Sequence, residues 1–292
     1  MKEVDLECLV IGEKGPTIVI ETGIGNSFYN WLPFIERIKN NCKIVIYHRA
    51  GYGNSLEAKK QRTVSNIAME LNGLLEDLQI EEKFILMGHS FGGLCAQQFA
   101  KMFPEKLKGV ILVDATSHNF KRVYDLNLPV MYSMISLEKM IEGNTETSKK
   151  SKEELNQMFS PMVEEYKAVL VKKDVENFKE FITNPSLFRT IADEFMNWEQ
   201  SSQLINEYGT FPDIPLIVIA RDKELSAKPF IEHGIPASEA VLHEEVWRDL
   251  QVELSQLSSK GELIIAEGSD HEIHKDKPEV IVRVIESLLS KS

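Results

Sequence analysis

The sequence predicts an α/β fold with a mostly parallel sheet that helices cover on both faces. Short, strongly apolar runs recur along the chain, and segments of helical periodicity lie between most of them. A run that is apolar at every position is typical of a strand buried on both faces, as in parallel sheets. Residues 117–209 interrupt this alternation, because they show charged, methionine-rich helical patterns and no convincing buried strand. We therefore expect an α/β sheet that carries a helical insertion.

The elements follow from these runs and from turn and capping signals. The first strand alternates between apolar and polar residues, and the later ones are rich in β-branched residues. The predicted strands are residues 4–10, 17–20, 43–47, 84–87, 109–113, 214–219 and 262–266. The predicted helices are residues 31–39, 63–78, 94–103 and 237–257, with a closing helix from Pro278. Polar segments follow several strand ends, where the sites of parallel sheets collect.

The composition is that of a globular protein large enough to bury a substantial core. Of the 292 residues, 43% are hydrophobic and 27% are charged, which is typical of soluble domains. The net charge of −12 and the pI near 5.2 argue against nucleic acid or an anionic membrane as a partner.

The cellular location is predicted from the absence of a signal-peptide pattern and of a membrane-span pattern in the sequence. Residues 1–5 lack the apolar segment of a signal peptide, and no apolar run approaches the length of a membrane span. The three cysteines are odd in number and have no Cys-x-x-Cys spacing, which predicts reduced thiols. We therefore expect a cytoplasmic protein, and the sequence leaves its oligomeric state open.

The chemistry is expected to centre on the segment Gly88-His89-Ser90-Phe91-Gly92. This Gly-x-Ser-x-Gly motif lies between a predicted strand and a predicted helix, which is the context that a nucleophile turn requires. The turn strains the serine backbone and exposes Oγ above the carboxyl edge of the sheet, next to unpaired amides at the helix start. We predict that Ser90 is a nucleophile.

A serine hydroxyl needs an adjacent base, and the base needs an orienting acid. Of the seven histidines, His271 follows the last predicted strand and therefore reaches the same sheet edge as Ser90. We predict that His271 is the base, because the chain order serine, acid, histidine belongs to this motif class. His89 is interpreted as a packing residue and His274 as a structural one.

The spacing of the histidines argues against a metal site, and that of the glycines argues against a dinucleotide site. A zinc-binding His-Glu-x-x-His helix needs histidines four apart, whereas His271 and His274 are three apart in a loop. The dinucleotide fingerprint needs a third glycine, which is missing after Gly23 and after Gly51. We expect neither a metal ion nor a cofactor.

The oxyanion formed when a serine attacks a carbonyl needs two preorganised N–H donors. The amide of Phe91, the residue after the nucleophile, is the first predicted donor. The second is expected from the loop after the second strand, and Ile24 is favoured over Gly25.

Together these segments resemble the α/β-hydrolase family over nearly the whole chain. The matching segments are Thr22-Gly23-Ile24-Gly25 with Trp31, Arg49-Ala50-Gly51-Tyr52-Gly53-Asn54-Ser55, Gly88-His89-Ser90-Phe91-Gly92-Gly93, and Ser269-Asp270-His271 with Pro278. The resemblance implies an eight-stranded sheet, a hydrolase core formed by residues 1–116 and 210–292, and a helical cap over the site at residues 117–209.

The acid is left open, because the chain departs from the family pattern. Thr22 stands where the family usually has His, and the strand over residues 214–219 is not followed by the usual Gly-x-x-Asp. The usual acid position falls on Glu224, Asp222 lies two residues away, and a variant arrangement uses Asp114 at an earlier strand end. We favour Asp114, because the segment after residue 220 is unusually long and begins with arginine instead of glycine.

The expected function is that of a carboxylesterase-like serine hydrolase, which cleaves a small ester or related acyl compound through an acyl-enzyme. Thioester, lactone, amide and C–C bonds remain possible, because a fold does not fix the substrate. The alternative is a ligand-binding receptor of the same fold with weak turnover, although a complete triad argues against it. An interaction protein with an inactive site is disfavoured for the same reason.

Overall fold

The computed structural model describes residues 5–290, which contain one mixed β-sheet and the helices around it. The strands are β1 (Cys8–Ile11), β2 (Thr17–Glu21), β3 (Lys43–Tyr47), β4 (Phe84–His89), β5 (Leu107–Val113), β6 (Leu216–Arg221) and β7 (Gly261–Ala266). Their order across the sheet is β1-β3-β2-β4-β5-β6-β7. The β1–β3 pair is antiparallel, and the other pairs are parallel.

The expectation of a mostly parallel sheet is confirmed, but the expected number of eight strands is wrong. Residues 5–290 form seven strands, and each corresponds to one of the runs recognised in the sequence. Residues 48–63, between β3 and α2, form turns and loops, and helices occupy the long segment between β5 and β6. Of the predicted first strand, Val4 lies outside the described residues, and pairing begins at Cys8.

The helices lie between the strands and in the inserted segment. They are α1 (Leu32–Ile38), α2 (Val64–Asp77), α3 (Phe91–Met102), α4 (Lys121–Tyr124), α5 (Pro129–Met134), α6 (Leu137–Thr147), α7 (Lys152–Tyr166), α8 (Lys172–Ile182), α9 (Pro185–Met196), α10 (Trp198–Glu207), α11 (Lys223–Glu232), α12 (Ala237–Ser255), α13 (Ile273–Asp276) and α14 (Pro278–Ser290). Helices α4 to α10 fill the insertion between β5 and β6, and that part of the described chain contains no strand.

The apolar core lies on both faces of the sheet, because successive strand residues point to opposite sides. In β2, Ile18 and Ile20 pack on one face and Val19 packs on the other, and all three side chains are fully buried. Helices α1 and α14 cover the first face, and α2 and α12 cover the second. This two-sided burial explains why the central strands are apolar at nearly every position.

The parallel strands bring polar residues together at their carboxyl ends. His89, the last residue of β4, pairs with Val113, the last residue of β5. Ser90 and Asp114 therefore follow neighbouring strand ends. His271 lies in the loop after β7, at the same edge of the sheet.

The turn between β4 and α3 depends on a glycine at position 92. A Cβ atom built on Gly92 would lie 2.1 Å from the carbonyl oxygen of Glu21, which is far inside van der Waals contact. We predict that Gly92→Ala lowers the free energy of unfolding by about 2 kcal/mol, as overpacking of a rigid core does. Chemical denaturation measures the change.

The matched control is Gly73→Ala in α2, where an added Cβ meets nothing within 4 Å. Alanine favours an exposed helix interior over glycine by about 0.5–1 kcal/mol, so this variant should be slightly more stable than the parent. Equal stabilities of the two variants would show that the close approach at Gly92 does not constrain the turn.

Candidate active site

Ser90 occupies the strained turn that the motif predicts. Its backbone has φ 53° and ψ −124°, a conformation that costs free energy for a residue with a side chain. Two hydrogen bonds stabilise this backbone conformation. The Ser90 amide donates to the Val113 carbonyl at 3.2 Å, and the Ser90 carbonyl accepts from the Thr116 amide at 2.9 Å. Ser90 is half-buried, as a nucleophile at the sheet edge would be.

Asp114 and His271 come together although 157 residues separate them in the chain. Nδ1 of His271 lies 2.5 Å from Oδ2 of Asp114, which is a short charge-assisted hydrogen-bond distance. The Asp114 side chain is fully buried, and the imidazole is about one-third exposed. With Nδ1 engaged, Nε2 is the imidazole nitrogen left for chemistry.

Asp114 accepts further hydrogen bonds from three groups around it. Nη1 of Arg221 lies 3.0 Å from Oδ2, the Arg221 amide lies 3.3 Å from Oδ1, and Nε1 of Trp247 lies 2.9 Å from Oδ1. Burial alone would raise the pKa of Asp114, but the Arg221 charge and the hydrogen bonds of His271 and Trp247 hold it well below its usual range. The carboxylate is therefore ionised at neutral pH.

The other two candidate acids lie elsewhere. Glu224 is exposed on the first turn of α11. Asp222 caps that helix, because its carboxylate accepts from the amides of Glu224 at 3.0 Å and Leu225 at 3.2 Å, and it also accepts from the Gly268 amide. Neither carboxylate has a hydrogen bond to His271 among the contacts of the described residues.

The loop after β2, which carries the two amides predicted as the second oxyanion donor, passes close to Ser90. A Cβ on Gly23 would lie 3.3 Å from Cβ of Ser90, so this loop passes directly beside the nucleophile. The amide of Gly25 donates to the Tyr52 hydroxyl at 2.8 Å. The Gly25 amide is therefore already engaged, which favours Ile24 as the predicted partner of the Phe91 amide.

His89 and His274 lie behind the imidazole of His271. Nε2 of His89 donates to the His271 carbonyl at 3.0 Å, and the His274 ring stacks on Trp31 with 3.8 Å between ring centroids. Burial and the nearby His271 lower the pKa of His89 to about 4, so it is neutral at pH 7. Within residues 5–290, no three His, Cys, Asp or Glu side chains are grouped as metal ligands would be.

A family model described as the alpha/beta hydrolase fold matches residues 16–278. The chain belongs to the α/β-hydrolase family. This confirms the resemblance found in the sequence, and the strand–turn–helix around Ser90 is the position where members of such a fold carry a nucleophile.

Relatives of this α/β-hydrolase are distant. The uncharacterised protein YqjL of Bacillus subtilis is 22% identical over 270 residues, which are 92% of this chain and 82% of YqjL. The proposed carbamate hydrolase RutD of Agrobacterium fabrum is 32% identical over 105 residues, and the match covers 36% of this chain and 40% of RutD. The match to RutD is thus local, whereas the match to YqjL is nearly full-length.

Solved structures share the fold at low sequence identity. An esterase from Thermogutta terrifontis has a TM-score of 0.62 at 17% identity, with 99% of this chain and 94% of that chain covered. A protein from Pseudomonas aeruginosa proposed to be an epoxide hydrolase has a TM-score of 0.72 at 14% identity, with 99% and 92% covered. In the described part of the chain, no helix combines the length and apolar character needed to cross a membrane.

The loop beside Ser90 is anchored by a buried arginine, Arg49, to which the sequence pattern assigned no role. The Arg49 guanidinium donates to the carbonyls of Thr22 at 2.7 Å and Gly23 at 3.1 Å. It also pairs with Glu21 of β2 at 2.9 Å and with Glu194 of α9 at 2.8 Å. Arg49 therefore joins the loop beside Ser90 to the inserted helices.

The same network holds Tyr52, whose hydroxyl donates to Glu194 at 2.6 Å and accepts from the Gly25 amide. The two ion-pair partners, Arg49 and Glu194, are 145 residues apart in sequence and fully buried. Arg49 lies two residues after β3 in a segment that resembles the family, but no local pattern there points to a partner in α9.

Two cavities border the candidate site. The larger, about 540 Å³, is lined by the loop after β2, α1, helices α7 and α8, and the loop after His271. The smaller, about 90 Å³, lies beside Thr116 and Trp247 under the aromatic side chains of Phe120 and Trp198. The lining of the smaller cavity includes Trp247, which donates to Asp114, and that of the larger cavity includes Gly25, which follows Ile24.

Glu194→Gln tests whether the Arg49 pair stabilises the fold. The variant keeps the shape of the side chain but leaves Arg49 with one carboxylate instead of two. We predict a loss of about 3 kcal/mol in the free energy of unfolding, because a buried charge loses part of its compensation. Urea denaturation measures it, with Glu164→Gln from an exposed ion pair of α7 as the control that should change little.

Because His89 is buried, we predict that the free energy of unfolding falls as the pH is lowered. Its pKa is lowered to about 4 in the folded protein, whereas an unfolded histidine has its ordinary value of about 6.5. The unfolded state therefore binds more protons than the folded state between these two pH values. The contribution of the neutral His89 to the free energy of unfolding is fully present above pH 6.5, and about 3 kcal/mol of it is lost as the pH falls to 4. Unfolding free energies of the parent and of His89→Gln, measured across this range, should diverge, and parallel curves would contradict the assignment.

Proposed function

We propose that this α/β-hydrolase is a serine hydrolase that cleaves a small ester or a related acyl compound, with Ser90, His271 and Asp114 as the catalytic triad. The observation that carries the proposal is the 2.5 Å contact between Nδ1 of His271 and Oδ2 of Asp114, at the sheet edge where Ser90 occupies its strained turn. A buried, ionised carboxylate on Nδ1 is the arrangement that makes a histidine a base toward a serine.

In the proposed mechanism, Oγ of Ser90 attacks the carbonyl carbon while Nε2 of His271 takes its proton. Asp114 fixes the tautomer of the imidazole and stabilises the imidazolium. The oxyanion of the tetrahedral intermediate accepts hydrogen bonds from the amides of Phe91 and Ile24.

Collapse of the intermediate breaks the bond to the alcohol, which leaves with the proton from His271. Water then attacks the acyl-enzyme and gives a proton to Nε2 of His271, and this proton returns to Ser90 as the carboxylic acid is released. The steps call for neither a metal ion nor a cofactor.

The substrate class rests on the site and on the relatives. A Thermogutta structure of the same fold is an esterase, one from Burkholderia xenovorans is an enol-lactonase, and the relative RutD is named as a carbamate hydrolase. A panel of esters, thioesters, lactones, carbamates and amides would rank these bonds. We also infer a cytoplasmic protein with a small-molecule substrate and no nucleic-acid partner.

The division into domains belongs to the same proposal. We infer a hydrolase core of residues 1–116 and 210–292 and a cap of residues 117–209 that sets the substrate size. Support comes from Phe120 and Trp198 of the insertion, which line the small cavity beside Trp247.

Ser90→Ala is expected to lower the turnover of p-nitrophenyl acetate by three or more orders of magnitude, since the attacking group is gone. The parent, but not the variant, should be labelled by a fluorophosphonate. Ser133→Ala, at an exposed position of α5, serves as the control for loss of a hydroxyl. Labelling of Ser90→Ala as fast as the parent would remove Ser90 from the mechanism.

The same assays separate the enzyme from the receptor-like alternative. An enzyme shows a burst of nitrophenol followed by steady turnover, because acylation and deacylation both proceed. A receptor with weak turnover would show one equivalent of nitrophenol or none. Continued turnover at a rate proportional to enzyme concentration decides for the hydrolase.

The acid is tested by the pair Asp114→Asn and Glu224→Gln. Loss of the buried charge on Nδ1 allows the wrong tautomer, and we expect turnover to fall by roughly four orders of magnitude in Asp114→Asn. Glu224→Gln, at an exposed position, should retain nearly full activity. Steady-state kinetics at neutral pH measure both, and the reverse result would assign the role to the carboxylate after β6.

A further inference from the structure

The peptide unit that joins Gly23 and Ile24 carries the amide predicted as the second oxyanion donor. A peptide unit is planar and trans, so its C=O and N–H bonds point in opposite directions. Whatever holds the Gly23 carbonyl therefore also sets the direction of the Ile24 N–H. Within residues 5–290, the Ile24 amide has no hydrogen-bond acceptor, so this donor is free in the loop that passes Ser90.

The Gly23 carbonyl is held by Arg49. Nη2 of Arg49 lies 3.1 Å from this oxygen, and the amide of Asn26 donates to the same oxygen at 3.2 Å. Nη1 of Arg49 also donates to the carbonyl of Thr22 at 2.7 Å. The two consecutive carbonyls before Ile24 are thus fixed by one guanidinium, whose planar fork of donors suits such a double contact.

The peptide unit after Ile24 belongs to the same network. The Gly25 amide donates to the Tyr52 hydroxyl at 2.8 Å, and that hydroxyl donates to Glu194 at 2.6 Å. Glu194 in turn accepts from Nε of Arg49 at 2.8 Å. Because the peptide units on both sides of Ile24 are held, the loop has little freedom to turn this amide in another direction.

Arg49 is charged and lies close to both predicted donors. Its guanidinium carbon is 5.2 Å from the ring centroid of Phe91, the residue that supplies the first amide. A cation that binds a peptide carbonyl draws electron density from the N–H of the same peptide unit, because hydrogen bonds in series polarise one another. The Ile24 N–H is therefore a stronger donor to an oxyanion than the same amide would be without the arginine.

We propose that Arg49 is a positioning residue of the oxyanion hole, which orients and polarises the Ile24 amide through the Gly23 carbonyl. The inference rests on the serine hydrolase function proposed above, in which that amide stabilises the tetrahedral intermediate. Because the oxyanion forms only after the attack, Arg49 stabilises the transition state and contributes little to the binding of the ester. The inserted helix α9 takes part through Glu194, which holds the guanidinium in place.

The test compares Arg49→Lys with the parent. Lysine keeps a buried positive charge for Glu194, but its ammonium lacks the planar fork that binds two carbonyls. We expect kcat for p-nitrophenyl acetate to fall by about ten- to 100-fold, approaching the loss of one oxyanion donor, with KM nearly unchanged. The matched control is Arg62→Lys, at another buried arginine, which pairs with Glu70 instead of the loop.

A second substrate separates positioning from a general loss of structure. In a thionoester, sulfur replaces the carbonyl oxygen, and sulfur is a weaker hydrogen-bond acceptor. A misplaced oxyanion donor therefore lowers ester turnover more than thionoester turnover. The ester-to-thionoester ratio of kcat/KM should fall by about tenfold in Arg49→Lys and keep the parent's value in Arg62→Lys. An equal loss for both substrates would leave Arg49 with a stabilising role only and overturn the proposal.

A double variant keeps the test decisive if Arg49→Lys does not fold. Arg49→Met with Glu194→Met removes both buried charges together, a replacement that buried ion pairs often tolerate. Glu21 keeps its hydrogen bond from Tyr47, and burial already raises the pKa of Glu21. The Gly23 carbonyl loses its cation in this variant, so the same fall in the ratio is expected, and an unchanged ratio would overturn the proposal.

The outcomes also separate this inference from the proposed function. Turnover that survives in Ser90→Ala would reject the serine mechanism and with it the role of Arg49. Turnover that is lost in Ser90→Ala, together with a parent-like ratio in Arg49→Lys, would keep the mechanism and reject the positioning role alone. Support for both requires turnover that depends on Ser90 and a ratio that depends on Arg49.

Discussion

The geometry of the site depends on a carboxylate that is fully buried at the end of β5. An ion in that position is tolerated only if its oxygens are supplied with donors. Asp114 has four, from His271, the side chain and amide of Arg221, and Trp247. Because the donors come from the end of β6, from α12 and from the loop after β7, the carboxylate also fixes where these three segments meet. The imidazole is therefore held by the same interactions that make the buried charge acceptable.

The arginine that replaces the family's usual glycine changes the charge balance of the site. Arg221 lies beside the His271 imidazole, where a lone cation would oppose imidazolium formation. Glu244 of α12, which is buried, pairs with Arg221 at 2.7 Å and 2.8 Å. The charges of Asp114, Glu244 and Arg221 thus sum to one negative charge, which a protonated His271 imidazole would bring to zero. Glu244 keeps the Asp114 charge available to the imidazolium.

The sequence predicts the local parts of this arrangement and misses the polar contacts between distant segments. The apolar run before Gly88, the motif around Ser90 and the strand end before Asp114 are local signals, because each reflects the burial or turn geometry of its own residues. Arg221 was visible only as a departure from the family, and its partner Glu244 had no signal at all. In the sequence, Glu194 looks like any other charged residue of a predicted helix, although the structure buries it completely against Arg49. Which charged residue of an amphipathic helix is buried depends on tertiary packing, which periodicity does not specify.

The buried Arg49–Glu194 pair also opposes displacement of α9, one of the inserted helices. Displacing α9 would separate two buried charges and release the carbonyls of Thr22 and Gly23, so it would disturb the loop beside Ser90 at a cost of several kcal/mol. Helix α7 packs on the apolar core through Leu155, Val163 and Tyr166, which are buried, and Tyr166 also forms a hydrogen bond with Asn30. The insertion is thus attached through buried charges at α9 and through apolar packing at α7.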